Sequence, residues 1–297
     1  MELKRANLNS LAEGDFTFIE ADLNDVSMES LFGSVGFDSI FHLAGQPGVR
    51  QSWGTDFAEN TRANVDATQR LLEAALAMGG VDRFVYASSS SVYGQAETYP
   101  TTELTLPRPF SPYGVTKLAG EHLSVLYREN YGLPTTAFRF FSVYGPRQRP
   151  DMAFTRFLRA AHAGNEITIY GDGTQIRDFT YIDDVVAALL LAAEHDGALP
   201  NVMNLSGGSS VSVNEVLETV ALVAGRDLNI AYRPTMQGDV FCTGGDSSVA
   251  GQALGWKPEM SLAQGLRREY EWVRNSFFAS ADVLGRDHHG RIQPNES

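Results

Sequence analysis

The sequence predicts an α/β protein built on a parallel, doubly wound sheet, with a smaller portion packed on its end. Two observations carry that reading. Through the first half, short apolar runs alternate with amphipathic stretches of helical period, as strand–helix–strand crossovers require. After Gly145 the alternation loosens into shorter, turn-rich pieces. A chain of 297 residues suffices for one large domain, or for a domain with a smaller partner.

Residues 16–23 (FTFIEADL), 37–45 (FDSIFHLAG) and 82–90 (DRFVYASSS) read as successive strands. Between the last two, Val65, Leu71, Leu72, Ala75 and Leu76 recur at helical spacing, and Gly79 offers the stop. A helix from Pro112 to Tyr131 leads into a strand over 135–145 (TTAFRFFSVYG). Beyond it come a Pro/Arg loop (PRQRPDM), a helix (AFTRFLRAAHAG) and a strand–glycine turn–strand segment (EITIYGDGTQIRDFTY). DDVVAALLLAAEH is a helix whose leading acids suit its N-terminal dipole. SVNEVLETVALVAG opens with Ser212 and Glu215 at capping-box spacing. No internal repeat or low-complexity tract interrupts the chain, and 280–297 reads as a polar, disordered tail.

Composition narrows the function. The chain is 43% hydrophobic and 20% charged, as in ordinary globular proteins, and no apolar run reaches the roughly 18 residues of a membrane span. The N-terminus lacks the apolar core of a signal peptide, and Cys242 is the only cysteine, so no disulfide framework or Cys-based metal site is available. These features point to a cytoplasmic location. A net charge of −13 argues against nucleic acid and anionic membrane as partners. An anionic small molecule would need a local cluster of arginines.

The chemistry centres on Tyr113 and Lys117, four apart and therefore on one helical face. With eleven tyrosines and three lysines, composition alone predicts roughly 0.1 such pairs. For the phenol to act as a base near neutrality its pKa must fall by roughly 3, or about 4 kcal/mol. A nearby ammonium and a cationic nicotinamide ring supply that kind of field. Ser88, Ser89, Ser90 and Ser91 follow a strand at its carboxyl end, where open α/β sheets bind ligands. Taken singly, the pair also reads as a surface tyrosine beside a solvated lysine, and the serines as a polar strand cap.

VYASSSSVYG, SPYGVTKLAGE, RFFSVYGPRQRPDM and YGDGTQIRDFTYIDDVV together resemble the extended short-chain dehydrogenase/reductase superfamily, specifically its nucleotide-sugar epimerases, from about Phe16 to Phe277. The resemblance implies NAD as cofactor, a UDP-sugar as substrate and a homodimer as assembly. It implies Tyr113 as the base, Lys117 as the residue that lowers its pKa and holds the nicotinamide ribose, and Ser89 as the bridging hydroxyl. It places Asp22 and Leu23 near the adenine, Leu43, Ala44, Gly45 and Asn64 along the cofactor, and Phe140 beside the nicotinamide. Ser142 and Arg177 match diphosphate contacts, and Tyr170 an aromatic that packs on uracil.

Dehydratases and decarboxylases of this kind carry acids beside the catalytic hydroxyl, where this chain has Ser90 and Ser91, so the sequence points to an epimerase. RQRPDMAF resembles the loop of UDP-glucuronate 4-epimerases. Arg147, Arg149 and Arg156, with Arg50 and Arg177, make a group suited to a carboxylate and a diphosphate. UDP-glucose 4-epimerase, or another nucleotide-sugar epimerase or dehydratase, is the alternative.

A Rossmann-like fold opens with a strand, a glycine-rich turn and a helix whose N-terminus receives the pyrophosphate. The nearest imitation is Gly45-Gln-Pro-Gly48, where Pro47 removes a backbone donor. The expectation is a sheet lacking its first strand–helix–strand, about 35 residues in this architecture. A start site downstream of the true one, a remnant that only binds sugar nucleotide or serves as an interaction module, and completion by another chain are the three readings of that gap. Residues 1–145 with parts of 176–210 then form the truncated NAD-binding portion, and 146–175 with 211–279 the substrate-binding portion.

Overall fold

The computed structural model describes residues 2–9, 11, 16–33, 36–235 and 240–279. The expected tail, 280–297, lies outside the described residues. In chain order the elements are α1 (Glu2–Asn9), α2 (Met28–Phe32), β1 (Ser39–His42), α3 (Phe57–Thr61), α4 (Ala67–Met78), β2 (Arg83–Ser89), α5 (Pro112–Tyr131), β3 (Thr135–Phe140) and β4 (Ser142–Tyr144). They continue with α6 (Ala153–Ala163), β5 (Glu166–Tyr170), β6 (Ile176–Tyr181), α7 (Ile182–Glu194), β7 (Val202–Leu205), β8 (Ser210–Ser212), α8 (Val213–Ala224), β9 (Asn229–Arg233), α9 (Ser248–Leu254) and α10 (Leu262–Phe277).

The main sheet has the order β1-β2-β3-β7, and every pairing is parallel. β2, RFVYASS, is buried at all seven positions, as a central strand covered on both faces must be. One face packs Phe84, Tyr86 and Ala137 against Leu71, Leu72 and Ala75 of α4 and Tyr127 of α5. The other packs Val85, Phe138, Met203 and Leu205 against Val185, Ala188 and Leu189 of α7. A separate core joins Phe154, Leu158, Ile167, Ile169, Val216, Leu217 and Leu266 around the short sheets β4-β6-β8 and β5-β9.

Local signals bound the helices, with the Gly79 stop and the Ser212/Glu215 capping box as the sequence predicts. α4 stops at Gly79 (φ 67°), and α5 stops at Gly132 in the left-handed conformation. Ser111 caps the start of α5 with Pro112 in its first turn, and Ser212 and Glu215 close a full capping box on α8.

Two expectations are corrected. Residues 16–22 form no strand. β1 is the edge of its sheet among the described residues, so the segment has no neighbouring ladder to join. Thr17, Phe18 and Ile19 instead line an apolar cavity of about 890 Å³ with Phe37, Ile40 and Phe41. The expected strand 135–145 also divides at Phe141. The Phe141 ring packs against Val92 and Tyr93, and its N–H donates to the Leu205 carbonyl (3.2 Å). The chain there leaves the main sheet, and β4 pairs with β6.

Close packing of α5 on β2 depends on Gly120, where a Cβ would collide with the buried Tyr86 hydroxyl. Gly120→Ala is expected to lose about 1–2 kcal/mol net, because the overpacking outweighs the better helix propensity. A lower urea midpoint with unchanged far-UV dichroism is the expected result.

Candidate active site

Tyr113, Lys117 and Glu121 lie one above another along α5, on the side that packs over β2 and β3. A Cβ at Gly114 would stand 2.5 Å from the Ser91 carbonyl oxygen, so glycine there lets the helix start touch the turn that ends β2. That contact brings Ser89 near the half-buried Tyr113 phenol, where its hydroxyl pulls the phenol's pKa down. The Ser89 Oγ also accepts the Ser91 N–H (3.1 Å), which fixes its rotamer and leaves its one hydroxyl hydrogen for the phenol oxygen.

Burial pushes the Tyr113 phenol above its ordinary value, against the opposing pulls of Ser89 and the Arg149 charge. Burial lowers the Lys117 ammonium to about 8, and the Glu121 charge acts against that fall. Lys117 Nζ sits 4.6 Å from the Tyr86 ring centroid. The protein alone therefore does not lower the phenol, and further positive charge beside Tyr113 is needed to make it a base.

Glu121, Arg139 and Tyr93 form a buried network that motif reading missed. Arg139 donates through Nη2 and Nε to the two Glu121 oxygens (2.6 and 3.0 Å) and through Nη1 to the Tyr93 hydroxyl (2.8 Å). Ser88 donates to Glu121 (2.6 Å), and Tyr93 donates to Asn204 Oδ1 (2.7 Å). The signal for Glu121 was available, since it continues the Tyr113/Lys117 spacing by one turn.

Asn64 lies in a π-helical turn, Arg62–Asp66. Its Oδ1 accepts the Gln46 N–H (2.7 Å), and its Nδ2 donates to Thr116 Oγ1 (2.9 Å). A Cβ at Gly45 would stand 2.7 Å from Asn64 Oδ1 and 3.8 Å from Lys117 Nζ. Leu43 and Ala44 follow β1 directly and line the cavity beside it, with Leu43 exposed. Asp22 is exposed and ion-paired to Arg62 (2.6 Å), which holds its carboxyl below the usual range, while Leu23 packs against the α4 core. Phe140 stacks on Phe138.

Across the sheet end, a second cavity of about 320 Å³ gathers Arg50, Ser142, Arg156, Tyr170 and Arg177. The Arg50 guanidinium lies over the Tyr170 ring at 5.0 Å. Arg177 donates to the carbonyls of Ile176, Val240 and Phe241, and Gln175 donates to the Tyr170 carbonyl (2.7 Å), fixing both flanks of the turn between β5 and β6. Arg149 pairs with Asp151 at the rim (3.0 Å) rather than lining this cavity. Arg147 takes a left-handed backbone (φ 69°), and Ser90 sits in the short turn after β2. Of the positions predicted for the substrate, Arg50, Ser142, Arg156 and Arg177 therefore converge with Tyr170, while Ser89, Ser90 and Arg149 do not line this cavity; the Arg149 charge acts on Tyr113. Among the described residues no group of His, Cys, Asp or Glu is arranged to hold a metal, and no helix is long and apolar enough to cross a membrane.

The sequence model of the NAD dependent epimerase/dehydratase family matches residues 2–206. A Bacillus subtilis protein described as an uncharacterized UDP-glucose epimerase, YtcB, is 41% identical over 93% of this chain and 86% of its own length. The UDP-glucuronate 4-epimerase of Thermodesulfobacterium geofontis is 35% identical over 92% of this chain and 84% of its own. The crystal structure of UDP-glucuronic acid 4-epimerase from Bacillus cereus, in complex with UDP-glucuronic acid and NAD, superposes with a TM-score of 0.89. It is 38% identical, covering 93% of this chain and 87% of that one. With Tyr113 and Ser89 together at the carboxyl end of a parallel sheet and a family match across two-thirds of its length, the chain belongs to the NAD dependent epimerase/dehydratase family.

Proposed function

We propose that the chain epimerises C4 of a UDP-sugar with NAD as cofactor, and that UDP-glucuronate is its substrate, converted to UDP-galacturonate. The juxtaposition of Tyr113 with Ser89 and the Arg149 charge, one helical turn from Lys117, is the observation that carries the reading. The T. geofontis and B. cereus relatives, both named for UDP-glucuronate, support the sugar.

Residues after β1 and on α5 fit the nicotinamide-ribose end of NAD. The space between Asn64 and Lys117 is what a Cβ at Gly45 would fill, and Leu43 is exposed beside it. Among the described residues no glycine-rich turn joins a strand to a helix N-terminus, so the fit covers the nicotinamide end and not the pyrophosphate. When bound, NAD supplies the two-electron acceptor and donor that interconverts the C4 alcohol and ketone, and its cationic ring.

The chain's own groups handle the proton. Tyr113 Oη takes the C4 hydroxyl proton and later returns it, with Ser89 sharing the hydrogen bond. Lys117 adds positive charge on the same face. Arg50, Arg156, Arg177 and Ser142 hold the diphosphate and carboxylate end, and Tyr170 packs on the uracil. Glu121 accepts from Arg139 and Ser88 and so is not placed as an acid for elimination, which favours epimerisation over dehydration.

The dimer expected for this chain fits the exposed apolar surface of Trp53, Phe57, Phe110 and Val115 beside α5, and a second copy is its occupant. The single cysteine supports a cytoplasmic location.

Incubation with NAD⁺ and UDP-glucuronate is expected to give UDP-galacturonate by chromatography, and turnover of UDP-glucose alone would refute the sugar assignment. Tyr113→Phe is expected to cut kcat by about 10²-fold or more with the melting temperature unchanged. Arg156→Met is expected to raise KM for UDP-glucuronate more than for UDP-glucose. Val115→Asp is expected to shift sedimentation velocity from dimer to monomer.

A further inference from the structure

The Lys117 ammonium is buried, and the acid on its own helical face is committed elsewhere. Glu121 accepts from Arg139 Nη2 at one oxygen and from Arg139 Nε and Ser88 at the other. What lies against the ammonium is an aromatic ring. Lys117 Nζ stands 4.6 Å from the centroid of Tyr86. A Cβ at Gly45 would stand 3.8 Å from the same nitrogen, so the side chain reaches from α5 over β2 to the loop after β1.

The ring is itself fixed. Its hydroxyl donates to the backbone carbonyl of Lys117 (3.3 Å), so one residue engages both ends of the lysine. That approach requires Gly120, where a Cβ would stand 2.3 Å from the hydroxyl oxygen. Burial holds the Tyr86 phenol well above its ordinary value, so it stays neutral and keeps its hydrogen to donate. The His42 ring packs beside it, with centroids 5.6 Å apart, and adds no charge. Thr68 gives its hydrogen to the Asn64 carbonyl (2.7 Å), so its oxygen accepts from His42 Nε2 (2.8 Å). Burial first, and then the Lys117 charge, hold the imidazole down at about 3, so it is neutral.

We propose that Tyr86 is a positioning residue for Lys117, its ring face holding the ammonium where a carboxylate might have stood and its hydroxyl tying the ring to the same lysine. The negative face of an aromatic ring attracts a cation most strongly where water is excluded. A carboxylate in that place would cancel the field that Tyr113 needs one helical turn away. A neutral ring holds the ammonium and leaves its charge uncancelled. The titratable groups that face Lys117 are His42 from β1, Tyr86 from β2, and Tyr113 and Glu121 on α5. Arg139 of β3 turns to Glu121, and Glu73 of α4 accepts from the Tyr127 hydroxyl further along α5. The π-helical turn contributes Asn64, a neutral amide. Burial already lowers the ammonium to about 8, against the Glu121 charge, so losing the ring lowers it further.

The inference rests on reading Lys117 as the cation that serves Tyr113, so its test has an arm that needs no substrate. The chain has three lysines, so labelling lysine with ¹³C at the ε carbon gives three ε-methylene signals by NMR. Lys4→Arg and Lys257→Arg identify the two exposed ones. The Lys117 ε protons of the wild type are expected upfield of the others, shifted by the ring current, and to titrate near 8. Tyr86→Phe is expected to keep both properties. Tyr86→Leu is expected to lose the upfield shift and to titrate about one pH unit lower. With NAD⁺ and UDP-glucuronate, the alkaline fall in kcat is expected to move down with it in Tyr86→Leu and to stay in place in Tyr86→Phe. Wild-type Lys117 ε protons at the ordinary position overturn the inference, which decides the matter even if Tyr86→Leu fails to fold. So does an upfield shift, or an unchanged titration, that survives in Tyr86→Leu. The expected lysine signals with an alkaline limb that ignores Tyr86→Leu would instead overturn only the reading of Lys117 as the cation serving Tyr113.

Discussion

The buried pair of Arg139 and Glu121 is the interaction that the catalytic face depends on, because it fastens α5 to the sheet beneath it. Its two donor–acceptor contacts join β3 to the helix, Ser88 adds β2, and Tyr93 with Asn204 extends the chain of bonds to β7. Desolvating two charges offsets most of their attraction, so such a pair contributes little net stability. Removing one partner is different, since it strands a buried charge at a cost of about 3–5 kcal/mol. What the network provides is registry. Glu121 is two turns below Tyr113, so fixing it fixes the height of the phenol over Ser89.

With geometry fixed this way, the electrostatics of the base remain unfinished in the polypeptide. Burial raises Tyr113 and lowers Lys117, and both shifts oppose a phenolate beside an ammonium. Arg149 and Ser89 pull the other way without prevailing. A cofactor carrying positive charge to the same point would lower the phenol as well as supply the two-electron acceptor.

The open edge of β1 is the opposite case, a place where the sheet has no registry. Its neighbour on one side is β2, and on the other lies the apolar cavity bordered by Phe18, Ile19 and Phe37. Edge strands with unpaired backbone and exposed apolar side chains are templates for further pairing. The proposed cofactor contacts divide along this line. Those on α5, β2 and the Asn64 turn are interlocked, while Asp22 stands exposed and satisfied only by Arg62.

The sequence by itself determined the features that near neighbours control. Helical period, the Gly79 stop, the Ser212/Glu215 capping box and the Tyr113/Lys117 spacing all arise within a few residues along the chain. Ser89 was singled out only by the family resemblance, since the residues alone left Ser88 to Ser91 open. Tertiary structure alone decided what depends on distant partners. FTFIEADL has a strand's composition but, among the described residues, no strand beside it, and it forms none. TTAFRFFSVYG is continuous in pattern and divides because Phe141 finds a pocket between Val92 and Tyr93. Arg139 and Glu269 read as ordinary charged residues until folding places one against Glu121 and the other against Gly145, 124 positions away. A charge removed from water takes its meaning from the atoms that replace the water, and local sequence does not specify those atoms.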